Sequence, residues 1–212
     1  MTKPKIMVVP VTPFDQNCSI VWDEESGAGA VVDPGGDVDV IAKAIAKSGA
    51  RPEKILLTHG HIDHAGGAAE LRERLGVPVE GPHTDDLFLL NGLETSGAQY
   101  GIGGVRPVVP ERWLAEGDEV TVGGLRFAVL HCPGHTPGSV VLFNAEHRFC
   151  FMGDVLFKGS VGRTDFPYGS HESLIGAIKT KILPLGDDVS FLPGHGPAST
   201  VGEERRSNPF LL

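Results

Sequence analysis

The 212-residue sequence has few cysteines and no long apolar run. Cys18, Cys132 and Cys150 are odd in number, widely spaced and outside any CxxC pair, so a disulfide framework is not expected. Isolated thiols are typical of a reducing compartment, which predicts a cytoplasmic location. The first apolar run, residues 6–10, is too short for a signal-peptide core or a membrane span, so no membrane partner is expected.

Basic residues are also scarce: the sequence has 18 Lys and Arg residues and 27 Asp and Glu residues, which gives a formal charge of −9. Nucleic-acid binding depends on neutralising phosphates, so this class of partner fits poorly. An anionic small molecule would have to be captured by local groups, because the overall field does not attract it. The sequence contains no GxSxG motif and therefore offers no serine nucleophile of that type.

The apolar pattern predicts alternating short strands and helices with no repeat. Strands are predicted at residues 6–11, 19–22, 28–32, 54–58, 119–122, 125–131, 139–143, 148–152 and 189–192. Helices are predicted at residues 38–48, 68–75, 85–90, 174–182 and 200–206. The region 81–116 is otherwise expected to be irregular. Two strand-rich blocks, each followed by helix, indicate an α/β (α+β) fold with two facing sheets, helices outside and one domain over residues 1–212.

Residues 59–64 place four side chains that can bind metal within six positions, in the order His-Gly-His-Ile-Asp-His. Alternate residues of an extended segment point the same way, so His59 and His61 can reach one ion. The chain must then turn into the next helix, which lets Asp63 and His64 project to a neighbouring point. An isolated HxH pair is often only a polar loop, whereas HxHxDH after a β-rich run predicts a metal site.

Three later segments place a possible ligand after a predicted strand: His135 in CPGHTPG, Asp154 in MGD and His195 in PGHGP. Each alone could be a turn or capping residue. Their common position at strand ends indicates that they join the first cluster. All seven side chains offer nitrogen or oxygen donors, a set that accepts Zn, Fe or Mn.

Together these motifs resemble the metallo-β-lactamase superfamily, whose fold is a four-layer αββα sandwich. The resemblance implies two divalent ions, with Zn expected and Fe or Mn as alternatives. It assigns the first ion to His59, His61 and His135, the second to Asp63, His64 and His195, and a bridge to Asp154. Asp63 and Asp154 would be the catalytic carboxylates, acting with a hydroxide shared by the ions. Asp33, at the end of its strand, resembles the superfamily's aspartate behind the ligands.

The segment after Asp154 resembles the glyoxalase II branch, whose members hydrolyse S-D-lactoylglutathione and related acylglutathione thioesters. Arg163 in the run GRTDF lies where that branch has a basic residue that contacts glutathione, and a guanidinium suits a carboxylate. Lys158 and Asp165 are further candidate substrate contacts, whereas Tyr168 is expected to pack. The sequence ends soon after His195, so the pattern is that of short, single-domain bacterial enzymes without the C-terminal glutathione-binding helical domain.

Two alternatives stay open. The GRTDF run also resembles persulfide dioxygenases of the same superfamily, which would use one iron at His59, His135 and Asp154. A non-catalytic metal protein is the other alternative, but structural zinc sites are usually closed and often contain Cys. Thioester cleavage suits the site chemically, because a thiolate with a pKa of about 8.5 leaves with little acid assistance.

Overall fold

The computed structural model describes residues 2–212, and within that range the strands form two large sheets and one small hairpin. The first sheet contains β1 (Pro4–Val11), β2 (Gln16–Asp23), β3 (Ala28–Val32), β4 (Arg51–Leu56) and β5 (Val79–Glu80), in the order β1-β2-β3-β4-β5. The second contains β6 (Glu119–Val122), β7 (Leu125–His131), β8 (Val140–Asn144), β9 (Phe149–Gly153), β12 (Ser190–Pro193) and β13 (Ser199–Thr200), in the order β13-β12-β9-β8-β7-β6. The hairpin pairs β10 (Leu156–Phe157) with β11 (Ser160–Val161).

The helices cover the outer faces of the two sheets. They are α1 (Val38–Ser48), α2 (Ile62–Ala65), α3 (Ala68–Leu75), α4 (Leu87–Asn91), α5 (Leu93–Tyr100), α6 (His171–Ala177) and α7 (Val201–Ser207). Helix α6 continues through a wider helical turn at Ile178–Ile182. Within residues 2–212, no helix combines the length and apolar character needed to cross a membrane.

Three apolar clusters show that the layers are helix, sheet, sheet and helix. Ile41 of α1 and Leu71 of α3 pack on Ile55 of the first sheet. Residues such as Leu56 of the first sheet and Phe127 of the second form a separate cluster between the sheets. The third cluster joins the second sheet to α6 and α7. The predicted αββα sandwich is therefore confirmed.

Region 81–116 differs from the prediction because it contains α5 as well as a short helix close to the predicted one. The sequence of α5 includes Thr95, Ser96 and Gly97, which have low helix propensity. Tertiary packing compensates for this low helix propensity. Gly97 is buried and packs closely on Val105, since a Cβ at residue 97 would lie 3.2 Å from Cβ of Val105. Residues 153–169, where the apolar pattern predicts no strand or helix, likewise contain the β10-β11 hairpin.

Candidate metal centre

The seven predicted ligands lie beside the carboxyl ends of parallel strands. β3 is parallel to β4 in one sheet, and β9 is parallel to β12 in the other. His59 follows β4, Asp154 follows β9 and His195 follows β12, so the facing sheets bring these side chains to one edge of the sandwich. His135 joins them from the loop between β7 and β8.

Distances between the side chains define two groups. In one group, Nδ1 of His61 lies 2.9 Å from Nε2 of His135. In the other, Oδ2 of Asp63 lies 3.0 Å from Nε2 of His195 and 3.9 Å from Nε2 of His64. Potential ligand atoms lie within 4.8 Å of one another in each of three sets: His59, His61 and His135; His59, His64 and Asp154; Asp63, His64 and His195.

Asp154 lies between the two groups. Its Oδ1 is 3.3 Å from Nε2 of His64, and its Oδ2 is 3.5 Å from Nε2 of His135 and 3.7 Å from Nε2 of His195. Gly194 makes this arrangement possible, because a Cβ at that position would collide with Asp154 Oδ1 and with the ring of His64. The glycine before the last ligand histidine therefore has a steric role.

Backbone and carboxylate acceptors determine which nitrogen faces the centre in three of the histidines. Nδ1 of His64 lies 2.9 Å from Asp33 Oδ2, Nδ1 of His135 lies 2.8 Å from the Arg163 carbonyl, and Nδ1 of His195 lies 3.2 Å from the Phe14 carbonyl. These oxygens can only accept, so each Nδ1 donates. In the neutral imidazole the lone pair is then on Nε2, the nitrogen that faces the centre. Metal-binding histidines commonly have such outer partners.

The direction of the pKa shift differs between histidines of the two groups. Burial lowers the pKa of His59 and His135, and burial with the facing His135 lowers the pKa of His61 to about 3. Burial opposes the protonation of His64 as well, but three facing carboxylates raise its pKa. Burial disfavours ionisation of Asp154, yet the neighbouring histidines hold its pKa well below the usual range. Ionised carboxylates and neutral imidazoles are the protonation states that bind metal, so an ion at His64 would displace the proton that the three carboxylates favour.

Several inward-facing atoms are buried and unsatisfied. In the part of the chain that the structure describes, Nε2 of His59, Nε2 of His64 and Oδ1 of Asp154 have no hydrogen-bond partner. A buried polar atom without a partner is costly and rare. A divalent cation among these donors would satisfy them, so the residues present fit a metal centre.

The centre opens into a cavity of about 670 Å³. Aromatic side chains form much of its wall, including Phe14, Tyr100, Phe157, Phe166 and Tyr168. Among residues 2–212, Arg163 is the only Lys or Arg that lines it. The guanidinium of Arg163 lies 4.4 Å from the Phe166 ring centroid and binds Asp165 at 2.7 and 2.8 Å.

Comparison with known families decides the classification. The sequence profile of the Metallo-beta-lactamase superfamily matches residues 11–195. The chain belongs to the metallo-β-lactamase superfamily. That matched range runs through all seven clustered side chains, so family membership and geometry identify the same site.

Relatives within this superfamily differ in what they are reported to be. The chain is 44% identical over 207 residues to the hydroxyacylglutathione hydrolase GloC of Haemophilus influenzae, covering 97% of each chain. The solved structure of TTHA1623 in a di-iron-bound form is 38% identical with a TM-score of 0.88, over 97% of this chain and 100% of that one. ETHE1 from Myxococcus xanthus is 25% identical with a TM-score of 0.79, over 97% and 83%.

The structure brings all seven predicted metallo-β-lactamase ligands together, with Asp33 behind them, while their binding of metal stays a prediction. Arg163 lines the cavity, while its contact with glutathione stays a prediction. Asp165 reaches it only through Arg163, and Lys158 lies outside the wall with its ammonium 3.5 Å from Glu203. Lys158 is therefore not placed to contact a ligand in the cavity.

Asp86 is a site residue that the sequence analysis missed. It is fully buried, and its carboxylate accepts hydrogen bonds from Gly60 N at 2.8 Å, Thr136 Oγ1 at 2.8 Å and Gly138 N at 2.6 Å. It thus joins the loop of His59 and His61 to the loop of His135. An aspartate before a helix resembles an ordinary capping residue, so only the non-helical partners reveal this role.

Proposed function

We propose that this protein hydrolyses an acylglutathione thioester, with S-D-lactoylglutathione as the first candidate. The observation that carries the proposal is the convergence of donors for two ions on one open cavity. The GloC relative, 44% identical over nearly the whole chain, supports the thioester class. The substrate is accordingly a small molecule.

The residues present would hold one ion with His59, His61 and His135 and the other with Asp63, His64 and His195. Such ions, with Zn expected and Fe or Mn as alternatives, would supply water that ionises near neutral pH and positive charge for a developing oxyanion.

The carboxylates of Asp63 and Asp154 line the cavity. Asp63 contacts His195 of the second set, whereas Asp154 contacts His135 of the first set and His195 of the second. Neighbouring histidines lower the pKa of both carboxyls despite burial, so each is ionised at neutral pH and can bind a cation. The position of Asp154 between the two groups fits the predicted bridge. A thiolate leaving group needs little protonation, which suits a cavity wall that is largely aromatic.

Arg163 would bind a carboxylate of the glutathione moiety. Its guanidinium is exposed at the cavity wall, where a forked donor can bind both oxygens of a carboxylate. Asp165 already occupies this fork, so a substrate carboxylate must displace or share it. This competition predicts modest glutathione affinity.

The proposal is tested by assaying the purified protein, loaded separately with Zn²⁺ or Fe²⁺, for S-D-lactoylglutathione hydrolysis. Oxygen consumption with glutathione persulfide is measured in parallel. We expect thioester turnover with two ions per chain and no oxygen uptake. Oxygen uptake without thioester turnover would overturn the hydrolase proposal.

Persulfide oxidation at one iron is the second candidate function. It is favoured by the GRTDF run at residues 162–166 and by 25% identity to ETHE1. The second group of Asp63, His64 and His195 does not exclude this reaction, because the dioxygenases that the sequence resembles keep these residues too. One iron per chain, bound by His59, His135 and Asp154, would favour the dioxygenase.

The cytoplasmic location stays a prediction, compatible with three buried, unpaired cysteines.

A further inference from the structure

Tyr168 is held against the centre by three contacts. Its ring stacks on Phe166 with centroids 5.3 Å apart and planes 8° apart, and Phe88 packs against its edge at 5.1 Å. Its hydroxyl oxygen lies 2.9 Å from Nε2 of His61. Within residues 2–212, His61 is the only hydrogen-bond partner of that hydroxyl. The ring is thus fixed by packing, and the oxygen is directed at one histidine.

The nitrogens of His61 and His135 that face the centre can be identified. Nδ1 of His135 donates to the Arg163 carbonyl, so the lone pair of the neutral imidazole is on Nε2. Nδ1 of His61 lies 2.9 Å from that nitrogen, so His61 presents Nδ1 to the same point of the centre and Nε2 to Tyr168.

Ligation of an ion by His61 through Nδ1 requires the tautomer with the imidazole proton on Nε2. That proton needs an acceptor, and the Tyr168 oxygen lies at the required distance. A hydroxyl can donate or accept, whereas the carbonyl or carboxylate partners of His64, His135 and His195 can only accept. His59 also faces a hydroxyl, because Oγ1 of Thr58 lies 3.2 Å from its Nδ1, but that hydroxyl donates its hydrogen to Asp33. Tyr168, by contrast, can accept from His61 and keep its own hydrogen for another acceptor.

We propose that Tyr168 is a positioning residue for His61 whose hydroxyl accepts a hydrogen bond from Nε2–H of the imidazole. By accepting this hydrogen bond, the hydroxyl stabilises the tautomer of His61 that can ligate through Nδ1. Its own hydrogen is then free to be donated to an oxygen atom of a molecule in the cavity. This inference rests on the metal centre of the proposed function but not on the choice of substrate.

The test compares Tyr168→Phe with Tyr100→Phe, the chain's two tyrosines. Tyr168→Phe keeps the ring and its packing on Phe166 while it removes the oxygen. Outer partners of ligand histidines typically contribute 10- to 100-fold to metal affinity, so the Zn²⁺ dissociation constant of one of the two sites should rise by about that factor. Competition with a chromophoric chelator measures this constant without any substrate.

Tyr100 is a matched control because it lines the same cavity but contacts Phe14, with centroids 5.4 Å apart, and not His61. Tyr100→Phe should leave Zn²⁺ affinity within about twofold, as substitutions of exposed groups usually do. Thermal unfolding of both variants shows that each is folded, and Co²⁺ absorption bands give a second measure of the geometry at His61.

Unchanged Zn²⁺ affinity in Tyr168→Phe, with two ions bound by the unsubstituted protein, would overturn this inference and leave the proposed function standing. An equal loss in Tyr100→Phe would assign the effect to the cavity wall and would also overturn it. If the unsubstituted protein binds no Zn²⁺, Fe²⁺ or Mn²⁺, both this inference and the proposed metal centre fail.

Discussion

Oδ2 of Asp33 lies 2.9 Å from Nδ1 of His64, and the same carboxylate accepts hydrogen bonds from the backbone N–H and the hydroxyl of Thr58. Asp33 has a φ of 52°, a left-handed conformation that costs a residue with a Cβ about 1 kcal/mol. Its contacts compensate this cost. One side chain therefore joins the end of β3, the segment after β4 and a proposed ligand.

Asp33→Asn should weaken metal binding at the group containing His64 by about 10- to 100-fold. The amide replaces one acceptor oxygen with a donor, and both Thr58 and His64 are donors at that position. Chelator competition measures the affinity. Asp23→Asn is the control, because Asp23 is also buried but binds Ser26 and backbone groups of a remote turn. Equal metal affinity in Asp33→Asn and the unsubstituted protein would show that His64 does not need this partner.

Asp154→Ala should reduce bound metal from two ions to at most one. Loss of the carboxylate between the two groups should also lower kcat for thioester hydrolysis by at least about 100-fold, as loss of a charge-stabilising group commonly does. Elemental analysis and the thioester assay measure both effects. Asp188→Ala removes an exposed carboxylate that binds Arg148 and should change neither. Retention of both ions and full activity in Asp154→Ala would refute the bridging role.

Asp86 should make stability depend on pH. Burial raises the pKa of its carboxyl from 3.8 to about 6, although Thr136, Gly60 and Gly138 donate hydrogen bonds to it. Between these values the folded state binds more protons than the unfolded state, so this carboxyl lowers the free energy of unfolding as pH rises. The decrease should total about 3 kcal/mol between about pH 4 and pH 6 and then level off.

Urea unfolding of the unsubstituted protein and Asp86→Ala across this pH range measures that contribution. The difference between their unfolding free energies should fall as pH rises, since only the unsubstituted protein has the buried carboxyl. Glu94→Ala, which removes an exposed carboxylate from α5, controls for the loss of one charge. Parallel curves for the unsubstituted protein and Asp86→Ala would contradict the prediction.

Arg163→Gln should raise KM for S-D-lactoylglutathione by about 10-fold, the scale of one charged hydrogen bond, with a smaller change in kcat. The guanidinium would contact a carboxylate distant from the reacting carbonyl, so its contribution is to ground-state and transition-state binding alike. Asp165→Asn is the complementary variant. It removes the carboxylate that competes for the guanidinium and should lower KM. If neither variant changes KM, Arg163 does not bind the substrate and serves only to hold its own loop through the ion pair with Asp165.

The sequence alone determined the fold class and the identity of the ligand-type residues. HxHxDH is a local pattern, and a strand followed by a turn directs its side chains to one place without help from distant residues. The ends of later strands likewise marked His135, Asp154 and His195. Strong apolar periodicity gave the strands and the outer helices, because it reflects which face each element buries.

Only the tertiary structure decided how these local features meet. Tyr168 and His61 are 107 residues apart, and Asp86 and Thr136 are 50 residues apart, so no spacing rule predicts their hydrogen bonds. The orientation of Lys158 toward Glu203 and the helix α5 also depend on packing between segments. The local sequence shows which side chains can bind a metal. The packing of the two sheets determines which nitrogen each histidine directs at the centre and which residue forms a hydrogen bond with its other nitrogen.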